Sequence, residues 1–176
     1  MKYIIYIVLV GTIVGVTFGL FQTWGWNGFV PDLILLIVLA LSLVFDNLDY
    51  LFFAFLGGFW LDIMFALPIG SFIIPLVICG VISSQFIRKW LFADIRWYHF
   101  VAAIIGATLI LKLWLWGYTN LFYIFDWYNF SISGKQILNN LIFNILANVI
   151  LAYPVYTIVE MLANSQLRWQ KNKLHL

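Results

Sequence analysis

Six apolar stretches, roughly residues 3–21, 30–45, 50–66, 71–87, 98–118 and 137–162, take up most of the chain, with short breaks between them. Runs of this length read as helices that cross a hydrocarbon core. In lipid only helices and closed barrels satisfy their own backbone, and no strand-like alternation is visible. The fold class expected is all-α: a polytopic membrane protein of six transmembrane helices, forming one integral domain over 1–176. Of 176 residues, 65% are hydrophobic and 9% charged, against about 25% charged in soluble domains. The mean hydropathy is +1.03. No break is long enough to hold a soluble domain.

The third stretch carries one carboxylate inside its apolar run and stops at a turn, Leu67-Pro68-Ile69-Gly70. Ala54, Gly58, Asp62 and Ala66 recur at steps of four and so share a helix face. Small residues there allow another backbone to approach closely. A lone Asp in lipid costs about 2.5–3.5 kcal/mol on insertion scales, so Asp62 is expected to face protein or a polar cavity.

The first span holds Gly11, Gly15 and Gly19, a flat ridge suited to close helix contact. It is read as retained, because it lacks a small-residue cleavage site and other spans follow. Trp24, Trp26 and Asn27 mark an interfacial loop. Pro31 opens the second span, and Asp32 complements its positive N-terminus. Asp46, Asn47 and Asp49 form a tight polar break. Arg88 and Lys89 end span four, and His99 reads as interfacial. The loop 119–136, crowded with aromatics, is expected to lie on the membrane surface. In span six Asn140, Asn144 and Asn148 form a polar stripe suited to interhelical hydrogen bonds. Pro154 is expected to kink this helix. Glu160 reads as interfacial, and 163–176 as a basic cytoplasmic tail.

Six spans put both termini on one side. Lys2, Arg88, Lys89, Arg96, Arg168, Lys171 and Lys173 then lie on that side, Lys135 lies opposite, and Lys112 is within a span. Cytoplasmic loops favour Lys and Arg, so the expected topology has both termini inside. Asp62 and Lys112 then fall at similar depth in the outer half of the bilayer. An Asp62–Lys112 pair is expected, extended to Asp32 or an Asn of span six. The alternative is that Lys112 snorkels alone and Asp62 bonds only neutral groups.

No catalytic, cofactor-binding or metal site is read. There is no H-E-x-x-H, no nucleophile–base set and no phosphate loop. The single Cys79 reads as a small core residue. No nucleic-acid partner is expected; the membrane lipids are.

Pro31-Asp32 opening an aliphatic helix from Leu33 to Leu43 is similar to the second span of the bacterial rod-shape-determining MreD family. Phe55-x-x-Gly58-x-x-x-Asp62 followed by Pro68-Ile69-Gly70 resembles that family's most recognisable segment. The resemblance implies a non-enzymatic subunit of the cell-elongation machinery in the bacterial inner (cytoplasmic) membrane. It implies association with MreC, a bitopic protein. Through MreC it implies the MreB filament, the polymerase RodA and a class B penicillin-binding protein in peptidoglycan synthesis. It also implies a fold like the substrate-binding S component of energy-coupling-factor transporters.

That likeness supplies the alternative function, a vitamin-binding transporter subunit. Asp32, Trp60, Asp62, Lys112, Asn140 and Asn144 would then line a cavity open to the outer face.

Overall fold

The computed structural model describes residues 11–13, 15–16, 19, 32–44, 48–85, 97–125 and 134–174, with backbone alone at 97, 134, 136–139 and 162–174. Every regular element among them is helical: α1 Leu33–Val44, α2 Asp49–Met64, α3 Ile73–Ile82, α4 Trp97–Ile124 and α5 Gly134–Leu174. Residues 11–13, 15–16 and 19 are helical too. Lys2, Trp24, Trp26, Asn27, Pro31, Asp46, Asn47, Arg88, Lys89 and Arg96 lie outside the described residues.

Helix α1 is the hub. Its sequence, LILLIVLALSLV, is apolar nearly all round, and a helix of that kind has to be buried on every side. Leu35, Leu36, Val38, Leu39 and Ala40 have no exposed surface. All four other helices touch it. Its first intrahelical bond runs from the Leu36 N–H to the Asp32 carbonyl at 3.0 Å, so Asp32 occupies the N-cap position.

Helices α2 and α3 form a tight hairpin. A Cβ on Gly58 would lie 2.6 Å from the Ile73 Cα and 2.7 Å from its nitrogen. Only glycine lets the two backbones meet there. Ala54, Gly58 and Asp62 are all buried. Ala66, expected on the same face, is exposed and has left the helix, with φ 49°. The Leu67 N–H reaches the Asp62 carbonyl at 3.0 Å, and the Ala66 N–H reaches the Ile63 carbonyl at 3.1 Å. This is a Schellman closure with alanine where glycine is usual.

Among the described residues two helices are long and apolar enough to cross a membrane, Tyr98–Ile124 and Asn140–Met161. Helices α1, α2 and α3, at 12, 16 and 10 residues, are shorter than a usual span of about 20. Helix α4 runs on to Ile124, so its last turns take up the first residues of what was expected as the loop 119–136. Helix α5 is continuous through Pro154 and past Leu162 to Leu174.

Several hydroxyls along these helices turn back on their own backbone. Ser42 donates to the Leu39 carbonyl at 2.8 Å, Thr119 to Leu115 at 2.6 Å and Thr157 to Tyr153 at 2.8 Å. Such i−3 and i−4 bonds satisfy a hydroxyl where no water is at hand.

Gly58→Leu is expected to destabilise the fold by at least about 3 kcal/mol, because the clash is with backbone that has no rotamer to change. Gly106→Ala, at a helical glycine whose added Cβ meets nothing within 4 Å, is expected to be neutral or stabilising. Thermal unfolding in one detergent compares the two. Ala66→Gly is expected to raise stability by about 1 kcal/mol by relieving the left-handed backbone.

Candidate functional site

Two polar clusters stand out against the apolar core, the first buried and the second partly so. The first is built on Asp62, near the C-terminal end of α2 and 1% exposed. One carboxylate oxygen accepts the Gly70 N–H at 2.7 Å, and the other accepts the Phe72 N–H at 2.7 Å. These amides precede α3, where the first N–H groups of a helix have no carbonyl of their own. Asp62 thus serves as a cap for α3 delivered from the neighbouring helix. The charge also faces the positive end of that helix.

The turn it grips has its own ties. The Ser71 N–H donates to the Pro68 carbonyl at 3.1 Å and the Ser71 hydroxyl donates to the same oxygen at 2.7 Å. Gly70 has φ +102°, the backbone a type II turn asks of its third residue. From α4 the Tyr118 hydroxyl donates to the Ile69 carbonyl at 3.0 Å. Trp114 and Phe122 flank Tyr118, with ring centroids at 5.4 Å and 4.8 Å.

The second cluster joins α1, α4 and α5. Lys112 Nζ lies 3.6 Å from Asp32 Oδ2, each side chain 19% exposed. Asn148, fully buried, accepts the Asp32 N–H on Oδ1 at 2.8 Å. Its Nδ2 donates to Thr108 Oγ1 at 3.0 Å and reaches Asp32 Oδ2 at 3.5 Å. One amide side chain therefore ties three helices together. Asn144 is 6% exposed and Asn140 half-buried, so the stripe turns inward and deepens towards Asn148.

The expected Asp62–Lys112 pair does not form. Lys112 goes to Asp32, and Asp62 goes to backbone amides. The expectation counted only side-chain partners, whereas the turn before α3 offers unclaimed N–H groups within reach. Asp32 is accordingly an ion-pair partner as well as a helix-start charge. Thr108 and Tyr118 were not singled out from the sequence. Thr108 lies four residues before Lys112 on one face of α4, which is the signal that would have found it.

Gly11, Gly15 and Gly19 belong to neither cluster, and a Cβ on any of them meets nothing within 4 Å. Ile13, from the same helical segment, packs against the core. At about 100° per residue Ile13 lies about 160° round the helix from Gly15.

Among the described residues no group of three or more His, Cys, Asp or Glu could hold a metal ion. The chemistry of both clusters is that of holding helices in place. No family model, curated protein or solved structure matches this chain.

Asp62→Leu leaves two buried amides without an acceptor and is expected to cost about 2–5 kcal/mol. Asp62→Asn, which keeps one acceptor oxygen, is expected to lose less than Asp62→Leu. Double-mutant cycles read by thermal unfolding are expected to show coupling of about 1 kcal/mol between Asp32→Asn and Lys112→Met, and none between Asp62→Asn and Lys112→Met. Coupling in the second cycle would contradict the geometry described above.

Proposed function

We propose that this chain is a non-catalytic membrane subunit whose work is to hold a single-span partner helix. In this reading it has six spans with both termini in the cytoplasm, in the inner membrane of a bacterium. The MreD resemblance then gives the setting, the cell-elongation complex. The partner helix is that of an MreC-like bitopic protein, which links the subunit to MreB, RodA and a class B penicillin-binding protein.

The observation that carries the reading is the two-sidedness of the helical residues 11–13, 15–16 and 19. One side, at Ile13, is seated on the core. The opposite side is the Gly11, Gly15 and Gly19 ridge, where a Cβ on any of the three would meet nothing within 4 Å among the described residues. A ridge without side chains lets a second helix approach to backbone contact, which is how helices associate in lipid where there is no hydrophobic drive.

Two further features support a membrane setting and a scaffold role. Ile142, Leu146, Ile150, Tyr153 and Met161 of α5 are each about half exposed or more, which suits acyl chains and does not suit water. The interior around α1 is filled by side chains such as Leu35, Leu39, Leu76, Phe100 and Ile104, as a structural bundle requires.

Gly15→Leu is expected to cut co-purification of an MreC-like partner by at least about tenfold, the effect of about 1.4 kcal/mol in binding. Protein level and thermal stability are expected to stay unchanged, because a Cβ at Gly15 meets nothing within 4 Å among the described residues. Cysteine pairs at Gly11 or Gly15 and along the partner span should crosslink with a helical period. Full retention of the partner by Gly15→Leu would remove the reading.

A further inference from the structure

The Asp32–Lys112 pair lies too deep to be an interfacial charge. The membrane-length segment of α4 runs from Tyr98 to Ile124, and Arg96 and Asp126 bound it in the sequence. A hydrocarbon layer of about 30 Å takes up about 20 of its 27 residues. Wherever those 20 or so fall, Lys112 is at least about 7 Å inside the layer. Yet each side chain of the pair is 19% exposed. Charges at such a depth face a bundle interior or a water-filled cavity, because acyl chains offer them no partner.

The levels of the helices place such a cavity above the head of α1. Phe100 meets Tyr156, with ring centroids at 5.4 Å, and Asn148 reaches Thr108 at 3.0 Å. Eight residues separate 100 from 108, and eight separate 148 from 156, so α4 and α5 run antiparallel in one register. That register sets Asn144 level with Lys112. From this level α4 continues about 18 Å to Ile124 and α5 about 15 Å to Gly134. The hairpin tip rises too, since Tyr118, about 9 Å above Lys112, holds the Ile69 carbonyl. Helix α1 starts lower, at the level of the pair, where Asp32 is its N-cap.

We infer that the Asp32–Lys112 pair is the floor of a recess that enters the membrane between α4, α5 and the α2–α3 tip and holds water and small polar molecules. This rests on the reading that Tyr98–Ile124 crosses the membrane, and it stands apart from the partner helix. Asn148, Asn144 and Asn140 follow one another up one face of α5. Asn148 is fully buried beneath the pair, Asn144 is level with it, and Asn140 is half-buried nearer the mouth. The amides thus become less buried in the direction in which the recess opens.

The test uses single cysteines in the full chain in nanodiscs, on a Cys79→Ala background, with methanethiosulfonate ethylammonium as the probe. The probe attacks thiolates, which form where water reaches. Ile142 and Leu146 are well exposed on α5 and bracket the depth of Asn144. Lys112→Cys and Asn144→Cys are expected to react at least about tenfold faster than Ile142→Cys and Leu146→Cys. Reaction at Lys112→Cys forms a disulfide, releases methanesulfinate and returns an ammonium to the side of Asp32. It is expected to raise the Tm of that variant, whereas the ethylsulfonate reagent, which brings a second negative charge, lowers it. Reaction at Lys112→Cys and Asn144→Cys no faster than at Ile142→Cys and Leu146→Cys would overturn the inference. So would reaction at Lys112→Cys with the same change in Tm from both reagents. Fast reaction at all four positions would instead overturn the membrane-crossing reading.

Discussion

The Asp62 carboxylate, held between the Gly70 and Phe72 amides, is the contact on which the rest of the bundle depends. It answers two problems at once. A carboxylate among apolar helices needs donors, and the start of α3 has donors without acceptors. Each would be costly alone, and together they close the α2–α3 hairpin at its tip. Gly58 closes the same hairpin along its length, by bringing the α2 backbone onto Ile73. With both in place the hairpin is a fixed wall for α1, whose apolar surface needs cover on every side.

The second cluster follows the same rule with different parts. Asn148 brings an acceptor and two donors, and uses them on Asp32 and Thr108. Lys112 neutralises the carboxylate that this leaves at the head of α1. Ion pairs, half-buried ones such as this included, are weak sources of stability, since desolvation and side-chain ordering offset most of the attraction. Their value here is register: α4 and α5 each have one height at which Lys112 and Asn148 meet Asp32 and Thr108 meets Asn148. The hydroxyls of Ser42, Thr119 and Thr157 need no such neighbour, because they bond within their own helices. The polar groups thus divide into those that satisfy themselves and those that align helices.

Much of this was readable from the residues. The helical character, the order of the elements and the inward turn of Asn144 and Asn148 follow from apolar run length and from spacing. So does the shared face of Ala54, Gly58 and Asp62. What could not be read was who bonds to whom. Matching charges by depth put Lys112 with Asp62, since a residue-by-residue reading sees side chains and not the amides of a turn. Helix ends were also hidden. Hydropathy changes where lipid ends, whereas a helix continues as long as its backbone is satisfied, so α4 runs into the aromatic stretch after Tyr118 and α5 runs to Leu174. Ala66 shows the limit in the other direction. It has the spacing of the buried face, but its left-handed backbone is set by the closure of α2 at Leu67.

A bundle closed in this way divides its surface by rigidity. The hairpin tip is held from three helices, by Asp62 on α2, by the start of α3 and by Tyr118 on α4. That end has little freedom to move without breaking buried hydrogen bonds, each of which leaves a group unsatisfied when lost. Gly11, Gly15 and Gly19 differ, since a Cβ at any of them would meet nothing within 4 Å among the described residues. A surface that is flat and mounted on a rigid body loses little conformational entropy when another helix seats on it. Binding of that kind needs no pocket and no reacting group. It needs a support that keeps its shape, and the two polar clusters provide that by removing the helices' freedom to slide.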